Sequence, residues 1–320
     1  MSIAKKFILP DQNAELDLSF VYSVGYLEWF HLGVRRLRGG FESLLSNGIV
    51  NMGFLCAAQS TIYSIVSGEK KLTLLLKEVD YYLQLLNTYK SEMTRRLLMI
   101  CRKIVSMLID KGKSTSIEEF DNPGTQGDES PQRLLDLVWF TGTIQNYWLG
   151  YSERCCHFAQ KCFITFMKPG RLYRVIVSFY HGLNLLDMLK KKSNPPRRKE
   201  IKKVIESMKV AVSHADCNFK NKLELLEAEL YGLDARHSQA VAAYDAAMAS
   251  ARSYKFVHEQ GLACEKAGFY FRKVGDLRNA LRYFDQARVC YDEWGSRIKV
   301  EMMEKEINAI NALFQEGTKC

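Results

Sequence analysis

Two stretches near the C-terminus repeat one pattern of small and aromatic residues. LEAELYGLDARHSQAVAAYDAAMASA, from Leu226, aligns with KAGFYFRKVGDLRNALRYFDQARVCY, from Lys266, with a shift of 40 residues. The alignment pairs Ala228 with Gly268, Tyr231 with Phe271, Ala240 with Ala280, Tyr244 with Phe284, and Ala247 with Ala287. A repeat of this length holds one pair of helices, which must stack on neighbouring pairs to bury its apolar face.

The spacing within each copy has a physical reason. A small residue in the first helix lets the second helix approach closely, and an aromatic residue between two small ones fills the groove between helices. These spacings resemble the tetratricopeptide pattern, with Gly275 at the turn, although the final proline of that pattern is absent and its repeat is about 34 residues long. The predicted fold class is all-α: a right-handed α–α solenoid of tetratricopeptide-like helix pairs. Unrelated amphipathic helices are the alternative.

The rest of the chain carries the same helical periodicity. Apolar residues recur at i, i+3, i+4 and i+7, and the 320 residues contain only 6 prolines and 20 glycines, which favours long helices over a fold rich in turns. Helix breaks are predicted at Gly39-Gly40, Gly68, Pro169-Gly170, Asn194-Pro195-Pro196, Gly275 and Gly295. The predicted organisation is 1–110 as divergent N-terminal repeats, 111–131 as a disordered acidic loop, 132–315 as C-terminal tetratricopeptide-like repeats, and 316–320 as a tail.

The cysteines and the N-terminal residues indicate the cellular compartment. The nine cysteines include no CxxC pair, which indicates reduced, buried thiols and a cytoplasmic protein. The N-terminus lacks the apolar core of a signal peptide. Gly48 to Gly68 is free of charge over 21 residues and could be a membrane segment or a buried helix. Its six Ser, Thr, Asn and Gln side chains favour the buried helix, so a membrane partner is not expected.

Basic residues cluster in one segment. Lys190–Lys203 holds eight Lys or Arg in fourteen residues, which suits either a nuclear-localisation or phosphate-binding patch, or a solvated loop and first helical turn. The net charge of +9 is otherwise spread among 36 acids. A nucleic-acid-binding solenoid is therefore kept as an alternative, and the solvated loop is favoured.

The C-terminal third resembles the helical repeat region of very large signalling proteins. Those proteins join a serine/threonine-kinase-like domain and an AAA/STAND-type ATPase, through such repeats, to GAF and histidine-kinase or cyclase domains. The residues that carry the resemblance are Ala263-x-Glu265, Phe269-Tyr270, Gly275, Ala280, Tyr283, Ala287, Tyr291, Trp294-Gly295 and Lys299-Val300. The resemblance implies a regulatory linker between a nucleotide-driven switch and an output domain, in a stand-alone repeat protein or a fragment of a larger one.

No catalytic motif is found. The sequence contains no GxxxxGK[ST], HRD or DFG element. Cys155, Cys156 and His157 are adjacent on a predicted helix and cannot share a metal without a further ligand. Glu227 and Glu229 are interpreted as surface acids, as are the glutamates after Trp294. We therefore expect no enzyme, cofactor or metal, but a protein-interaction scaffold that binds a protein or peptide.

Overall fold

The computed structural model describes residues 25–89, 91–110, 130–165, 172–192 and 194–317, and the chain is helical throughout these ranges, without a strand. The all-α prediction is confirmed. A short 3-10 turn, Gly25–Leu27, precedes thirteen described α-helices. These are α1 Phe30–Ser46, α2 Val50–Ser67, α3 Leu72–Leu85, α4 Glu92–Ile109, α5 Ser130–Trp148, α6 Ser152–Thr165, α7 Leu172–Lys191, α8 Pro195–His214, α9 Asp216–Leu233, α10 His237–Ser253, α11 Val257–Lys273, α12 Leu277–Trp294 and α13 Arg297–Gly317.

Consecutive helices pack in pairs: α1 with α2, α3 with α4, α5 with α6, α7 with α8, α9 with α10, and α11 with α12, while α13 packs on α12. Alternate helices also touch, because α5 contacts α7, α7 contacts α9, and α9 contacts α11. We call α5, α7, α9 and α11 the inner helices. Each inner helix packs against more than one neighbour and therefore buries a wide face.

Local chemistry explains several helix ends. Gly68 and Gly295 adopt left-handed backbone angles, φ of 62° and 88°, and end α2 and α12. Asn194 caps α8 by accepting a hydrogen bond from the Arg197 amide, with prolines at the first helical positions. The predicted break at Gly39-Gly40 is wrong, since α1 runs through both glycines. Buried apolar residues on either side of the pair outweigh the roughly 1 kcal/mol that a glycine costs inside a helix.

The uncharged stretch predicted from Gly48 to Gly68 is α2. Its residues from Phe54 to Ser67 are almost all buried against neighbouring helices, chiefly α1 and α4. Among the described helices, none has the length and apolarity required to cross a membrane.

Three other predictions lie wholly or partly outside the described residues, and the helix break at Pro169-Gly170 is one of them. The loop predicted at 111–131 lies outside them except for its end, where α5 already begins at Ser130. Of the tail predicted at 316–320, only the first two residues are described, as the end of α13. None of the eight described cysteines is in a disulfide.

The small residues of the repeat lie where helices approach most closely. Ala228, Ala240 and Ala247 are fully buried. A Cβ atom added to Gly268 would lie 2.6 Å from the ring of Phe284, on the paired helix α12. The glycine therefore allows the approach of α11 and α12.

We expect Gly268→Ala to lower the free energy of unfolding by about 1–3 kcal/mol, because the added methyl group overpacks this contact. Gly39→Ala is the matched control. Gly39 lies inside α1 with no atom within 4 Å of a Cβ, so alanine should raise the free energy of unfolding by about 0.5–1 kcal/mol. Urea midpoints measure both changes, and an equal gain in both variants would contradict the close approach.

Candidate functional site

The first two helix pairs dock on the C-terminal helices. The indole Nε1 of Trp29 donates to the backbone carbonyl of Tyr254, at 3.0 Å. The hydroxyl of Ser296 donates to the carbonyl of Leu108 at 2.6 Å. In an open array each repeat touches only its neighbours. Here helices from the two ends of the chain meet and close the structure.

Asn218 is the centre of this contact. Its Oδ1 accepts a hydrogen bond from the Phe30 amide at 3.0 Å. Its Nδ2 donates to the carbonyls of Tyr26 and Glu28, at 3.0 and 2.5 Å. One fully buried amide side chain thus binds three backbone groups in residues 26–30, at the start of α1 and just before it. We call Asn218, Phe219, Lys222 and Phe256 the Asn218 seat.

An aromatic pocket completes the seat. The ring of Phe30 packs edge-on against Phe219 and Phe256, with centroids 5.8 and 6.1 Å apart. The Lys222 ammonium lies 4.2 Å from the Phe256 centroid and 6.0 Å from that of Phe30, so it can make cation–π contacts with both. The seat therefore combines backbone recognition with a pocket for an aromatic side chain, two features by which a groove binds an extended peptide.

A row of charges, buried except for the exposed Lys190 and the half-buried Asp187, runs beside the seat. Four acids and four lysines pair across helices α7, α9, α11 and α13. The pairs are Lys190 with Glu229, Lys222 with Glu259, Lys266 with Asp187, and Lys299 with Glu265. We call these eight residues the charged seam. Because each pair joins two helices, the seam fixes their positions relative to one another.

Lys222 and Glu259 form the most deeply buried of these pairs. Lys222 Nζ lies 2.7 Å from Glu259 Oε2 and donates to the carbonyl of Asn218 at 2.8 Å. Asn221 donates to the same carboxylate oxygen at 2.5 Å. Burial lowers the pKa of Lys222 and raises the pKa of Glu259, and attraction between the two opposes both shifts. The pair keeps two charges inside the protein only because each satisfies the other.

Glu229 corrects the sequence interpretation. It was expected on the surface, but it is fully buried and accepts hydrogen bonds from Tyr244 and Lys190. Lys222 carried a usable signal: it lies three residues after Phe219 and four before Leu226, the spacing of one helix face. A charged residue in that register is predicted to be buried.

His31 is a buried titratable group next to the seat. Its ring packs against Trp29, and it is only 5% exposed. Burial lowers the pKa of His31 to about 4; Glu69 opposes this shift, while Lys255, Arg35 and Lys222 add to it. The imidazole is therefore neutral at pH 7.

We expect acidification to reduce the free energy of unfolding through His31. The unfolded ring binds a proton near pH 6.5 and the folded ring only near pH 4, so protonation favours the unfolded chain. The loss should begin at about pH 6.5 and reach on the order of 3 kcal/mol by pH 4. His31→Phe should remove this part of the pH profile of denaturant unfolding, whereas His157→Gln, at an exposed histidine, should leave it unchanged. Superimposable profiles of His31→Phe and the unmodified protein would contradict the assignment.

The predicted repeat residues occupy the core and turns of the C-terminal helix pairs. Gly275 lies in the turn between α11 and α12 with φ of 86°. Trp294 is 1% exposed and packs on Trp148, with ring centroids 5.1 Å apart. Tyr231 is half-buried. Gly295, which ends α12, is half-buried too, and the remaining members of the repeat signature are buried: Ala228, Ala240, Tyr244, Ala247, Gly268, Phe271, Ala280, Phe284 and Ala287.

Some residues of the basic segment Lys190–Lys203 form ion pairs within the chain. Lys190 pairs with Glu229 and Arg198 with Asp234. Other members, including Lys199 and the lysines after Ile201, are exposed on the first turns of α8. Exposed lysines at a helix start suit both a solvated surface and a phosphate-binding patch.

The adjacent Cys155, Cys156 and His157 do not converge. Cys155 is fully buried, whereas His157 is exposed. Among the described residues, no group of three or more His, Cys, Asp or Glu side chains is placed to hold a metal ion. No protein-family model matches the sequence, and no curated protein matches it either.

Proposed function

We propose that this chain is a non-catalytic protein-interaction scaffold: a regulatory helical-repeat module of a signalling system, with its helix pairs arranged as a tetratricopeptide-like solenoid. The Asn218 seat is the observation that carries this proposal. Its asparagine binds backbone groups and its pocket binds an aromatic ring, at the place where the chain's own segment 26–30 docks. A partner that presents an extended segment followed by an aromatic residue would find the same groups.

Competition between the resident segment and a partner is part of the proposal. Trp29 is half-buried, and its contacts with Tyr254 and Lys255 lie at the edge of the seat. Loss of these contacts would loosen the segment without emptying the core. The seat would then accept a peptide supplied from outside.

Fluorescence polarisation tests this directly. The probe is a labelled peptide with the sequence of residues 23–34, SVGYLEWFHLGV, titrated with the full chain. Trp29→Ala should bind it about tenfold more tightly than the unmodified protein, a difference of about 1.4 kcal/mol. Adding Asn218→Ala to that variant should abolish binding. These two changes have opposite expected signs, so general destabilisation cannot imitate both.

A second peptide is the control for sequence. With alanine in place of its Trp and Phe, the peptide should not bind any variant. Equal binding by the unmodified chain and Trp29→Ala, or binding that survives Asn218→Ala, would count against the proposal.

The linker alternative, in which the chain is part of a multidomain kinase or ATPase sensor protein, rests on the resemblance of the C-terminal third. It predicts that ATPase or sensor-kinase coding sequence adjoins this one. The nucleic-acid alternative predicts oligonucleotide binding that weakens steeply as salt rises.

A further inference from the structure

Helices α6 and α7 bring two sulfur atoms and an imidazole together. Cys156 Sγ lies 3.7 Å from Met188 Sδ. His181 lies on α7, three residues before Asn184, and its side chain is close enough to Cys156 for the two groups to interact electrostatically. With metal–sulfur bonds of about 2.3 Å, two sulfurs on one centre lie about 3.8–4.0 Å apart. The observed separation is close to the one that a shared metal ion requires.

His181 is oriented as a metal-binding histidine would be. It is only 2% exposed, and its Nδ1 has no hydrogen bond of ordinary geometry. Its Nε2 lies 3.0 Å from the Glu200 carboxylate. Histidines that bind metals usually donate their second ring N–H to such a carboxylate, which fixes the tautomer and the ring orientation. In a metal-binding histidine of this kind, Nε2 is hydrogen-bonded to a carboxylate and Nδ1 faces the metal without another hydrogen-bond partner.

Asn184 supports the sulfur donors. Its Nδ2 donates to Cys156 Sγ at 3.2 Å and lies 3.8 Å from Met188 Sδ. A donor to the cysteine sulfur stabilises a thiolate. Cys156 is partly exposed, whereas Cys155 is fully buried, so an ion can reach this cluster from solvent.

We propose that Cys156, Met188 and His181 bind Cu(I). A thiolate and a thioether are soft ligands, which select Cu(I) over hard cations, and an imidazole suits copper as well. Binding releases the Cys156 thiol proton to solvent, together with the Nδ1 proton when the ring carries one. Glu200 keeps the second N–H of the ring and does not contact the ion.

A second sulfur cluster in the chain could compete with the Cys156 cluster for Cu(I). Cys264 Sγ lies 3.1 Å from Met248 Sδ, and Cys290 is close enough to Cys264 to interact with it electrostatically. Cys264 is 1% exposed, and no histidine belongs to this group of contacts. It therefore lacks both the access and the nitrogen donor of the Cys156 cluster.

Transfer of Cu(I) from a coloured chelator tests the proposal. The reduced full chain, under anaerobic conditions, should remove one equivalent of Cu(I) from its bathocuproine disulfonate complex. Cys156→Ser should lose this uptake. Met188→Leu, which keeps the side-chain volume, and Glu200→Gln should each weaken binding by about 10-fold or more. Circular dichroism confirms that each variant is folded.

The controls separate this site from other thiols. Cys217→Ser removes another partly exposed thiol, outside the cluster, and should leave uptake unchanged. X-ray absorption of the bound copper should show a mixed shell of sulfur and nitrogen, and the nitrogen should disappear in His181→Phe. Absence of uptake, uptake that survives Cys156→Ser, or uptake lost in Cys264→Ser but not in Cys156→Ser would overturn the proposal.

Discussion

Replacing Lys222 with methionine is expected to lower the free energy of unfolding by about 3–5 kcal/mol. The variant leaves the Glu259 carboxylate in a site that is 2% exposed, with Asn221 as its remaining hydrogen-bond donor. It also removes the ammonium that lies over Phe256. The urea or guanidinium midpoint measures the loss.

The double variant separates an unpaired charge from lost packing. Lys222→Met combined with Glu259→Leu removes both charges, so it should be considerably more stable than Lys222→Met alone. Arg288→Ala is the surface control, since it breaks the partly exposed pair with Asp285 and should change the free energy of unfolding by less than about 1 kcal/mol. A single variant no less stable than the double variant would contradict a buried ion pair.

Acidification should partly rescue Lys222→Met. Burial raises the pKa of Glu259 in the folded chain, and the variant lacks the Lys222 ammonium that opposes this shift. As pH falls through this raised pKa, the folded carboxylate takes up a proton before the unfolded one does. The difference in unfolding free energy between Lys222→Met and the unmodified protein should therefore narrow as the pH falls.

Asn218→Ala should lower the free energy of unfolding by about 2–4 kcal/mol, which is the second of the two large effects. The variant leaves the Phe30 amide without its acceptor, and the carbonyls of Tyr26 and Glu28 lose their donor. Each buried polar group left unsatisfied costs about 1–3 kcal/mol. Because the three groups belong to one segment, the docking of the first helix pair should weaken together with overall stability.

Asn47→Ala is the matched control for Asn218→Ala. Asn47 is exposed, and its side chain donates to the Ser43 carbonyl within the same stretch of chain. We expect a change of less than about 0.5 kcal/mol, as for most surface substitutions. Denaturant unfolding followed by circular dichroism compares the two, and equal losses would contradict the role of Asn218.

The features that could be predicted from the sequence are those that depend on residues close together along the chain. The helical periodicity and the helix breaks at Gly68, Gly295 and Asn194-Pro195-Pro196 follow from chemistry within a few residues, and the structure has helix ends at all three places. The helix break predicted at Gly39-Gly40 was wrong because contacts distant in sequence decide the structure there. Tertiary burial of its helix outweighed local propensity.

The seat and the charged seam depend on pairs that are distant in sequence. Asn218 meets Phe30 across 188 residues, and Lys222 meets Glu259 across 37. Periodicity can assign such residues to a buried face, but it cannot identify the partner that neutralises them. Glu229 was assigned to the surface for this reason: a carboxylate is usually exposed unless it is paired.

Closure and the proposed binding function are linked through the same residues. The groups that could bind a partner already bind the segment 26–30, so the affinity measured for a partner would be reduced by the stability of that contact. A substitution that loosens the segment should strengthen partner binding. The charged seam would hold α9 and α11 in place while the seat is empty.

Hydrogen exchange at the Phe30 amide tests the central claim most directly. This amide is the first of α1 and has no acceptor within its own helix, so it should exchange rapidly unless Asn218 binds it. We predict exchange slowed on the order of a hundredfold or more in the unmodified chain, with the protection lost in Asn218→Ala and kept in Asn47→Ala. Exchange of the Phe30 amide at the rate of an unstructured peptide, in the unmodified protein, would contradict docking of the first helix pair at Asn218.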